Sequence, residues 1–201
     1  MKRFDPRGLL AKPWYYKTFR RLVTTKAGRT GLVETHLKPR VGDAVLDIGC
    51  GTADVVDDLP DVQYFGFDAS QEYIELARAR HSDRGTFVNA SVSREMVTGE
   101  FDLVMAIGVL HHLDDGDAED LFEVAGSVLK PNGRLVTVDP CFHEGQAALR
   151  KFVISLDRGE HVRSVDEYHN LARKVFTKVV GQTRTGLVRI PYTHLILECS
   201  L

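Results

Sequence analysis

An acid followed by two closely spaced glycines gives this sequence its clearest chemical signal. Asp47 interrupts the apolar run Val45–Ile48, and Gly49 and Gly51 follow that run at once. Short runs rich in β-branched residues are typical of strands buried on both faces. Glycines directly after such a strand permit a sharp turn and let a ligand approach the main chain. The stretch therefore predicts a strand that runs into a ligand-binding turn.

The acids beside this turn indicate which ligand it takes. A dinucleotide-binding turn has the pattern G-x-G-x-x-G, which needs a glycine where this chain has Asp54. Asp47 and Asp54 would also repel a diphosphate, and a like-charge clash in a partly desolvated site costs several kcal/mol. We therefore expect a cofactor with a cationic centre and a free amino group, such as S-adenosylmethionine.

A further acid ends the second predicted strand, Val62–Phe67. Asp68 stands about 20 residues after the glycine turn, where an acid accepts hydrogen bonds from both hydroxyls of a ribose. Helix capping is the alternative, because Asp68 and Ser70 both precede the predicted helix Gln71–Arg80. The spacing to the glycines favours the ribose role.

Strands alternate with helices along the chain, which favours an open, mostly parallel sheet with helices on both faces. The later strands are predicted at Gly85–Asn89, Phe101–Ile107, Arg134–Val138, Lys178–Thr183 and Thr193–Glu198. A helix from about Asp117 to Lys130 and a turn at Pro131-Asn132-Gly133 separate the fourth strand from the fifth.

In such sheets, ligands bind beyond the carboxyl ends of the strands. The residues predicted at that edge are Gly49, Asp68, Ser91, Ile107 and Asp139. We therefore expect a single cleft that collects all of them.

The amino-terminal stretch is basic and aromatic. From Pro6 to Val33 it has seven basic residues and no acid, and aromatic and apolar residues recur at helical spacing after Pro13. This pattern predicts an amphipathic helix, followed by a second helix over about Lys26–Leu37. The first helix either packs on the sheet edge with a solvated basic face, or covers the active site. As a cover it would attract an anionic substrate or contact an anionic membrane, with Tyr15 and Tyr16 as acceptor contacts.

An insert separates the fifth predicted strand from the last two. It contains a helical stretch from Phe142 to about Asp157 and a charged turn in which Arg158 and His161 either bind an anionic acceptor or remain solvated. Ser164 followed by Glu167 is a capping box that predicts a helix to about Lys174. The insert should overhang the cleft.

Length and composition set wider bounds. The 201 residues, 43% of them hydrophobic, predict one globular domain. The net charge of -2 argues against nucleic acid as a partner. Cys50, Cys141 and Cys199 lack the spacing of a disulfide framework or a zinc site, so we expect free thiols and no metal. With no apolar run of about 18 residues and no leader, a cytoplasmic protein is expected.

Four segments carry a resemblance to a known family. Val45–Asp54, Tyr64–Ser70, Phe101–Asp115 and Val128–Asp139 resemble, in order, the motifs of small stand-alone class I S-adenosylmethionine-dependent methyltransferases. The resemblance implies a doubly wound, mostly parallel, seven-stranded Rossmann-like α/β sheet whose last strand is antiparallel. It also implies S-adenosylmethionine as cofactor and S-adenosylhomocysteine as product.

The resemblance assigns cofactor contacts by position. Asp47, Gly49 and Gly51 would line the methionine end, with Cys50 presenting its backbone, and Ala53 replaces the family's third glycine.

Further along the chain, Asp68 would hold the ribose and Ala69 would lie near the adenine. Ser91 takes the place where many members have an acid that contacts the adenine amino group. Ala106 and Ile107 would run beside the reactive end of the cofactor.

The predicted activity is methyl transfer to a small-molecule, glycan or lipid-linked acceptor. If the acceptor must lose a proton, His111 or His112 is the candidate base, because the ordinary pKa of histidine suits proton transfer near neutral pH. Packing at the start of a helix is the alternative role for both. A methyltransferase-like cofactor-binding protein without turnover and an NAD-dependent oxidoreductase are the alternative functions.

We divide the expected domain into four parts: a helical cap (1–40), a cofactor-binding core (41–140), an insert that shapes the acceptor pocket (141–177) and a final strand pair (178–201).

Overall fold

Seven strands form one sheet in the computed structural model, which describes residues 26–93, 96–97, 99–155 and 159–201. The strands are β1 (Ala44–Ile48), β2 (Gln63–Asp68), β3 (Gly85–Asn89), β4 (Phe101–Ile107), β5 (Leu129–Pro140), β6 (Lys178–Thr185) and β7 (Thr193–Ser200). Their order across the sheet is β3-β2-β1-β4-β5-β7-β6. Strands β1 to β5 pair in parallel, and β7 is antiparallel to both β5 and β6. The predicted fold is confirmed.

Helices of the described residues lie between these strands. The α-helices are α1 (Lys26–Leu32), α2 (Gln71–His81), α3 (Asp115–Ser127), α4 (Ala148–Ser155) and α5 (Val165–Ala172). A π-helical turn, Val33–Leu37, extends α1, and 3-10 turns occupy Asp54–Asp58 and Leu110–His112. None of these helices combines the length and the apolar character that crossing a membrane requires.

The core has two parts, one on each face of the sheet. Leu46 packs with Phe122 of α3 and Tyr168 of α5, whereas Val45 packs with Leu37 and with Ile74 of α2. Neighbouring residues of a strand point to opposite faces, so β1 contributes to both parts. The alternation also places Asp47 on the same face as Val45.

Two helix predictions are confirmed at their ends. Lys38 adopts a left-handed conformation directly after Leu37, which ends the helical stretch before Pro39. Ser164 and Glu167 form the predicted capping box at the start of α5. A left-handed backbone conformation sets the first boundary, and side-chain hydrogen bonds set the second.

The prediction that Pro131-Asn132-Gly133 is a turn between helix and strand is wrong, because β5 already begins at Leu129. The sheet absorbs these residues as an irregularity: Phe101 pairs with Leu129, and Leu103 pairs with Arg134. A Cβ at Gly133 would lie 2.6 Å from the carbonyl oxygen of Phe101, so glycine permits the close approach of the two strands.

Two predicted helices have different bounds. α3 begins at Asp115 rather than Asp117, because the Asp114 side chain accepts a hydrogen bond from the backbone N–H of Asp117. The stretch after Phe142 is not helical until Ala148, since Phe142 forms a β-bridge with Ser164 and Gly145 has a φ of +73°.

Candidate active site

The turn after β1 depends on left-handed backbone conformations. Gly49 and Gly51 have φ values of +73° and +56°, and Ala53 has a φ of +53°. The backbone N–H groups of Gly49 and Cys50 donate to the Phe67 carbonyl at 2.8 and 2.9 Å, which ties the turn to the end of β2. A Cβ at Gly49 would lie 2.5 Å from Cγ2 of Val109. Conformation and space both require glycine there.

Asp68 connects this turn to the start of α2. Its Oδ2 accepts from the Gly51 N–H and its Oδ1 from the Ser70 N–H, both at 2.8 Å. Capping of α2 falls to Ser70, whose side chain accepts from the Tyr73 N–H. Because each carboxylate oxygen can accept two hydrogen bonds, Asp68 keeps capacity for ribose hydroxyls. The ribose role stays a prediction.

Asp47 has a buried partner below the turn. It is 3% exposed and accepts a hydrogen bond from the Tyr64 hydroxyl at 2.6 Å. Burial, reinforced by the Asp47 charge, raises the pKa of Tyr64 well above its ordinary value. Contact between Asp47 and the methionine end of a cofactor stays a prediction.

Asp54, the second acid of the ligand argument, forms an ion pair with Arg80 of α2. The same guanidinium contacts Asp57 at 3.2 Å. This pairing reduces the repulsion that Asp54 would exert on a diphosphate. The case against a dinucleotide therefore depends more on the missing glycine at position 54 than on the charge of Asp54.

The remaining predicted cofactor contacts differ in exposure. Ala69 and Ser91 are exposed, and Ser91 follows a segment tied to β2, because Asn89 Nδ2 and Ala90 N–H both donate to the Asp68 carbonyl. Ala106 is fully buried in the core, so only its backbone is suited to contact a ligand. Ile107 is half-buried at the end of β4.

His111 is held from within the protein. Its ring Nδ1 lies 2.8 Å from Oδ1 of Asp139, and its backbone N–H donates to the same oxygen at 3.2 Å. The His111 and Asp139 side chains are both buried. An ionised carboxylate can only accept, so the neutral ring carries its proton on Nδ1 and the Nε2 lone pair is its base.

His112 is exposed, and its ring lies against that of His111 with centroids 4.0 Å apart. Cys141, two residues beyond Asp139, is a protonated thiol at neutral pH, because burial and the Asp139 charge raise its pKa to about 12. Of these side chains, His111 has the partner expected of an oriented base.

The predicted acceptor contacts are only partly described. Tyr15, Tyr16 and Arg158 lie outside the described residues. His161 is half-buried, and its backbone N–H donates to the His111 carbonyl at 3.1 Å. The insert therefore reaches the segment that carries the histidine pair.

The sequence did not predict the roles of two side chains near His111, those of Asp139 and Arg163. Asp139 was predicted at the cleft edge without a role, although an acid at the end of an apolar strand is itself a signal. Arg163 was not singled out, yet it is 7% exposed and donates to the carbonyls of Leu110 and Leu113. Nothing in the local sequence distinguishes it from a surface arginine.

Similarity to known proteins covers this part of the chain. Residues 45–133 match a family described as "Methyltransferase domain". This match begins in β1 and ends within β5, so it includes the glycine turn, Asp68 and the histidine pair.

Two curated relatives have similar sequences. The chain is 33% identical over 109 residues to 27-O-demethylrifamycin SV methyltransferase of Amycolatopsis mediterranei, covering 50% of this chain and 39% of that protein. It is 30% identical over 138 residues to Aclacinomycin 10-hydroxylase RdmB of Streptomyces purpurascens, covering 62% and 36%. The chain spans well under half the length of these relatives.

A solved structure has the same fold. The S-adenosylmethionine-dependent methyltransferase SibL aligns with a TM-score of 0.71 at 16% identity, covering 92% of this chain and 57% of that one. Residues 45–133 thus match a methyltransferase domain, and the chain has the fold of SibL, an S-adenosylmethionine-dependent methyltransferase.

Proposed function

We propose that this chain transfers the methyl group of S-adenosylmethionine to a small-molecule acceptor, or to a glycan or lipid-linked one, with His111 as the base. The observation that carries the proposal is the buried pair of His111 and Asp139, at the sheet edge that also carries the glycine turn. The relatives' names include a hydroxylase beside methyltransferases. The test must therefore measure transfer of the methyl group itself.

The glycine turn supports cofactor binding at this edge. Side chains are excluded at Gly49, and Asp68 keeps acceptor capacity beside the turn. In our proposal the residues that hold the cofactor are Asp47, Gly49, Cys50, Gly51, Asp68, Ala69, Ser91, Ala106 and Ile107. The division into cap, core, insert and strand pair at 1–40, 41–140, 141–177 and 178–201 belongs to the same proposal.

The chain's own contribution to the reaction is orientation and proton transfer. Bound S-adenosylmethionine supplies an electrophilic methyl group that is displaced in line from its sulfonium. Asp139 holds His111 in the tautomer with its proton on Nδ1. The Nε2 atom then takes the proton of an acceptor hydroxyl or ammonium group as the acceptor attacks.

The acceptor side of the proposal uses the insert and the amino-terminal stretch. His161 is tied to the backbone of His111, and His112 lies against the His111 ring. With Arg158 and the basic stretch from Pro6 to Val33, these groups favour an anionic acceptor or contact with an anionic membrane surface. Buried cysteines that form no disulfide suit a reducing, cytoplasmic setting.

A labelled-methyl screen tests this proposal. The wild-type chain and the Gly49→Val and His111→Asn variants are incubated with methyl-labelled S-adenosylmethionine and fractionated metabolite extracts. We expect label in an acceptor with the wild type and none with Gly49→Val. Methyl transfer by His111→Asn at the wild-type rate would exclude His111 as the base without contradicting the methyltransferase activity.

Binding measurements separate the alternatives. Calorimetry that shows tight S-adenosylmethionine binding, with no label transferred from any extract, would favour a cofactor-binding protein without turnover. Binding of NAD in the same cell, without S-adenosylmethionine binding, would favour an oxidoreductase. We expect S-adenosylmethionine binding and no NAD binding.

A further inference from the structure

One segment of the insert, Gly159–Ser164, wraps the backbone and ring of His111, and we name it the strap. We propose that Gly159 and Arg163 of this strap are positioning residues that set the orientation of the His111 ring. The inference rests on the proposed function in one respect only: the oriented ring is useful because His111 is the base.

The first observation is a close approach at Gly159. A Cβ there would overlap Cδ2 of the His111 ring and would lie 2.6 Å from the His111 carbonyl oxygen. Gly159 is not among the described residues with a positive φ, so the position needs glycine for space and not for backbone conformation. The strap therefore lies directly against one side of the ring, while Asp139 bonds its Nδ1.

The second observation is the way Arg163 uses its guanidinium. Nη1 donates to the Leu110 carbonyl at 2.9 Å, and Nη2 donates to the Leu113 carbonyl at 2.8 Å. Nε and Nη2 also donate to Oδ1 of Asp115 at 2.9 and 2.7 Å. The two carbonyls flank the histidine pair in sequence. One planar donor group therefore fixes the main chain on both sides of His111.

The strap is itself anchored to the sheet. The Phe142 N–H donates to the Arg163 carbonyl at 3.0 Å, and the Val165 N–H donates to the Phe142 carbonyl at 3.1 Å. The capping box of Ser164 then fixes the start of α5. Because Phe142 follows β5 closely, the strap and Asp139 are positioned by the same strand.

These contacts make a structural prediction about the ring. With Asp139 on one side and Gly159 on the other, His111 has little room to rotate away from the carboxylate. A methyl group at position 159 must displace either the strap or the ring. Lysine at position 163 cannot reach Leu110, Leu113 and Asp115 at once, because its three donors sit on one atom.

The test is nuclear magnetic resonance of the full chain labelled with ¹⁵N in its histidine rings. The His111 signals are identified by their loss in His111→Asn. In the wild type we expect the pattern of a ring whose proton is fixed on Nδ1. In Gly159→Ala and Arg163→Lys we expect that pattern to be replaced by the mixture of tautomers of an unconstrained histidine.

Matched variants control for loss of stability alone. Gly126 of α3 also lacks room, since a Cβ there would lie 2.8 Å from Cγ1 of Val175, but its surroundings are away from His111. Arg134 donates to the Leu37 and Lys38 carbonyls, as Arg163 does to its own pair. We expect Gly126→Ala and Arg134→Lys to keep the wild-type His111 signals.

The outcomes are separable from those of the proposed function. Wild-type His111 signals in folded Gly159→Ala and Arg163→Lys would overturn the strap inference. If Gly159→Ala does not fold, Arg163→Lys alone decides. In the labelled-methyl assay the strap variants should lose about 100-fold in rate at unchanged S-adenosylmethionine affinity. Full activity of His111→Asn would instead exclude His111 as the base. The His111 ring signals of the strap variants would still test whether the strap orients the ring.

Discussion

The glycine turn after β1 and the histidine pair after β4 lie at the same edge of the sheet, but different contacts hold them. The turn is shaped by left-handed residues within five positions of one another and by backbone donors. His111 is held by Asp139, 28 positions away, and by the strap still further along the chain. The side proposed to bind the cofactor, which we call the cofactor side, is thus held by local contacts. The side that carries the proposed base, the base side, is held by long-range contacts.

This difference predicts different kinds of sensitivity. A change that distorts the backbone of the turn acts on the ligand through the main chain, so it should abolish binding. A change around His111 acts on ring orientation, so it should spare cofactor binding and lower the rate. Variants at Gly49 and at Asp139 test whether the two regions separate in this way.

The largest effect is expected at Gly49. Gly49→Val places a β-branched residue at a φ of +73° and against Val109, so no measurable S-adenosylmethionine binding is expected by calorimetry. Gly31→Val is the control, because a Cβ at Gly31 meets no atom within 4 Å. Near wild-type affinity for S-adenosylmethionine in Gly49→Val would contradict the view that the backbone conformation at Gly49 shapes the binding turn.

Asp139→Asn should lower the methyl-transfer rate by roughly 10²–10⁴-fold, the range for losing general base catalysis. An amide can present its NH₂ to Nδ1 and so fix the wrong tautomer of His111. That NH₂ would then face the backbone N–H of His111, which Oδ1 of Asp139 accepts, so the free energy of unfolding should fall by about 1–3 kcal/mol. Urea unfolding checks that the variant is still folded under the assay conditions, and calorimetry checks that its cofactor affinity persists. A folded variant with the wild-type rate would contradict the role of Asp139 in orienting His111.

The same contrast explains what the sequence could predict. The seven strands followed from apolar runs and their spacing, and the glycine turn followed from residues 49 and 51 alone. Both depend on local periods and local backbone freedom. Even there, the pairing of Asp54 with Arg80 could not be foreseen, because it joins two elements that fold against each other.

On the base side, the sequence supplied His111 but none of its partners. Asp139 and Arg163 reach His111 and its flanking carbonyls only through the parallel pairing of β4 with β5 and the bridge between Phe142 and Ser164. The spacing of residues along the chain cannot predict such contacts. The error at Pro131-Asn132-Gly133 has the same origin, since the neighbouring strand tolerates the three residues as an irregularity.

Asp68→Ala should weaken S-adenosylmethionine binding by roughly 1–3 kcal/mol, the range for losing a partner of buried polar groups. Because Asp68 also bonds the backbone of Gly51 and Ser70, the loss alone does not identify the ribose. A cofactor analogue without ribose hydroxyls resolves this. The wild type should bind the analogue more weakly than it binds S-adenosylmethionine, whereas Asp68→Ala should bind the two with equal affinity. Equal penalties in both proteins would leave Asp68 as a purely structural link.

Tyr64→Phe should lower the free energy of unfolding by about 1–3 kcal/mol at pH 7, because it leaves buried Asp47 without the phenol. The raised pKa of Tyr64 means that its contribution is complete below the ordinary value of 10.0 and is lost as pH rises above it. The free energy of unfolding, measured with urea from pH 7 to 11, should therefore fall more steeply with pH for the wild type than for Tyr64→Phe. Tyr73→Phe serves as control, and parallel curves would contradict the assignment.

The smallest effect is expected at Ala53, the left-handed residue of the turn that is not glycine. Ala53→Gly removes a conformational cost of about 1–2 kcal/mol. It also loses a buried methyl, worth about 0.8 kcal/mol, and frees the unfolded chain by about 0.4–1 kcal/mol. These terms nearly cancel, so the free energy of unfolding should change by less than about 1 kcal/mol and cofactor affinity should hold. A loss of affinity would show that the Ala53 methyl group, and not backbone conformation alone, shapes the turn.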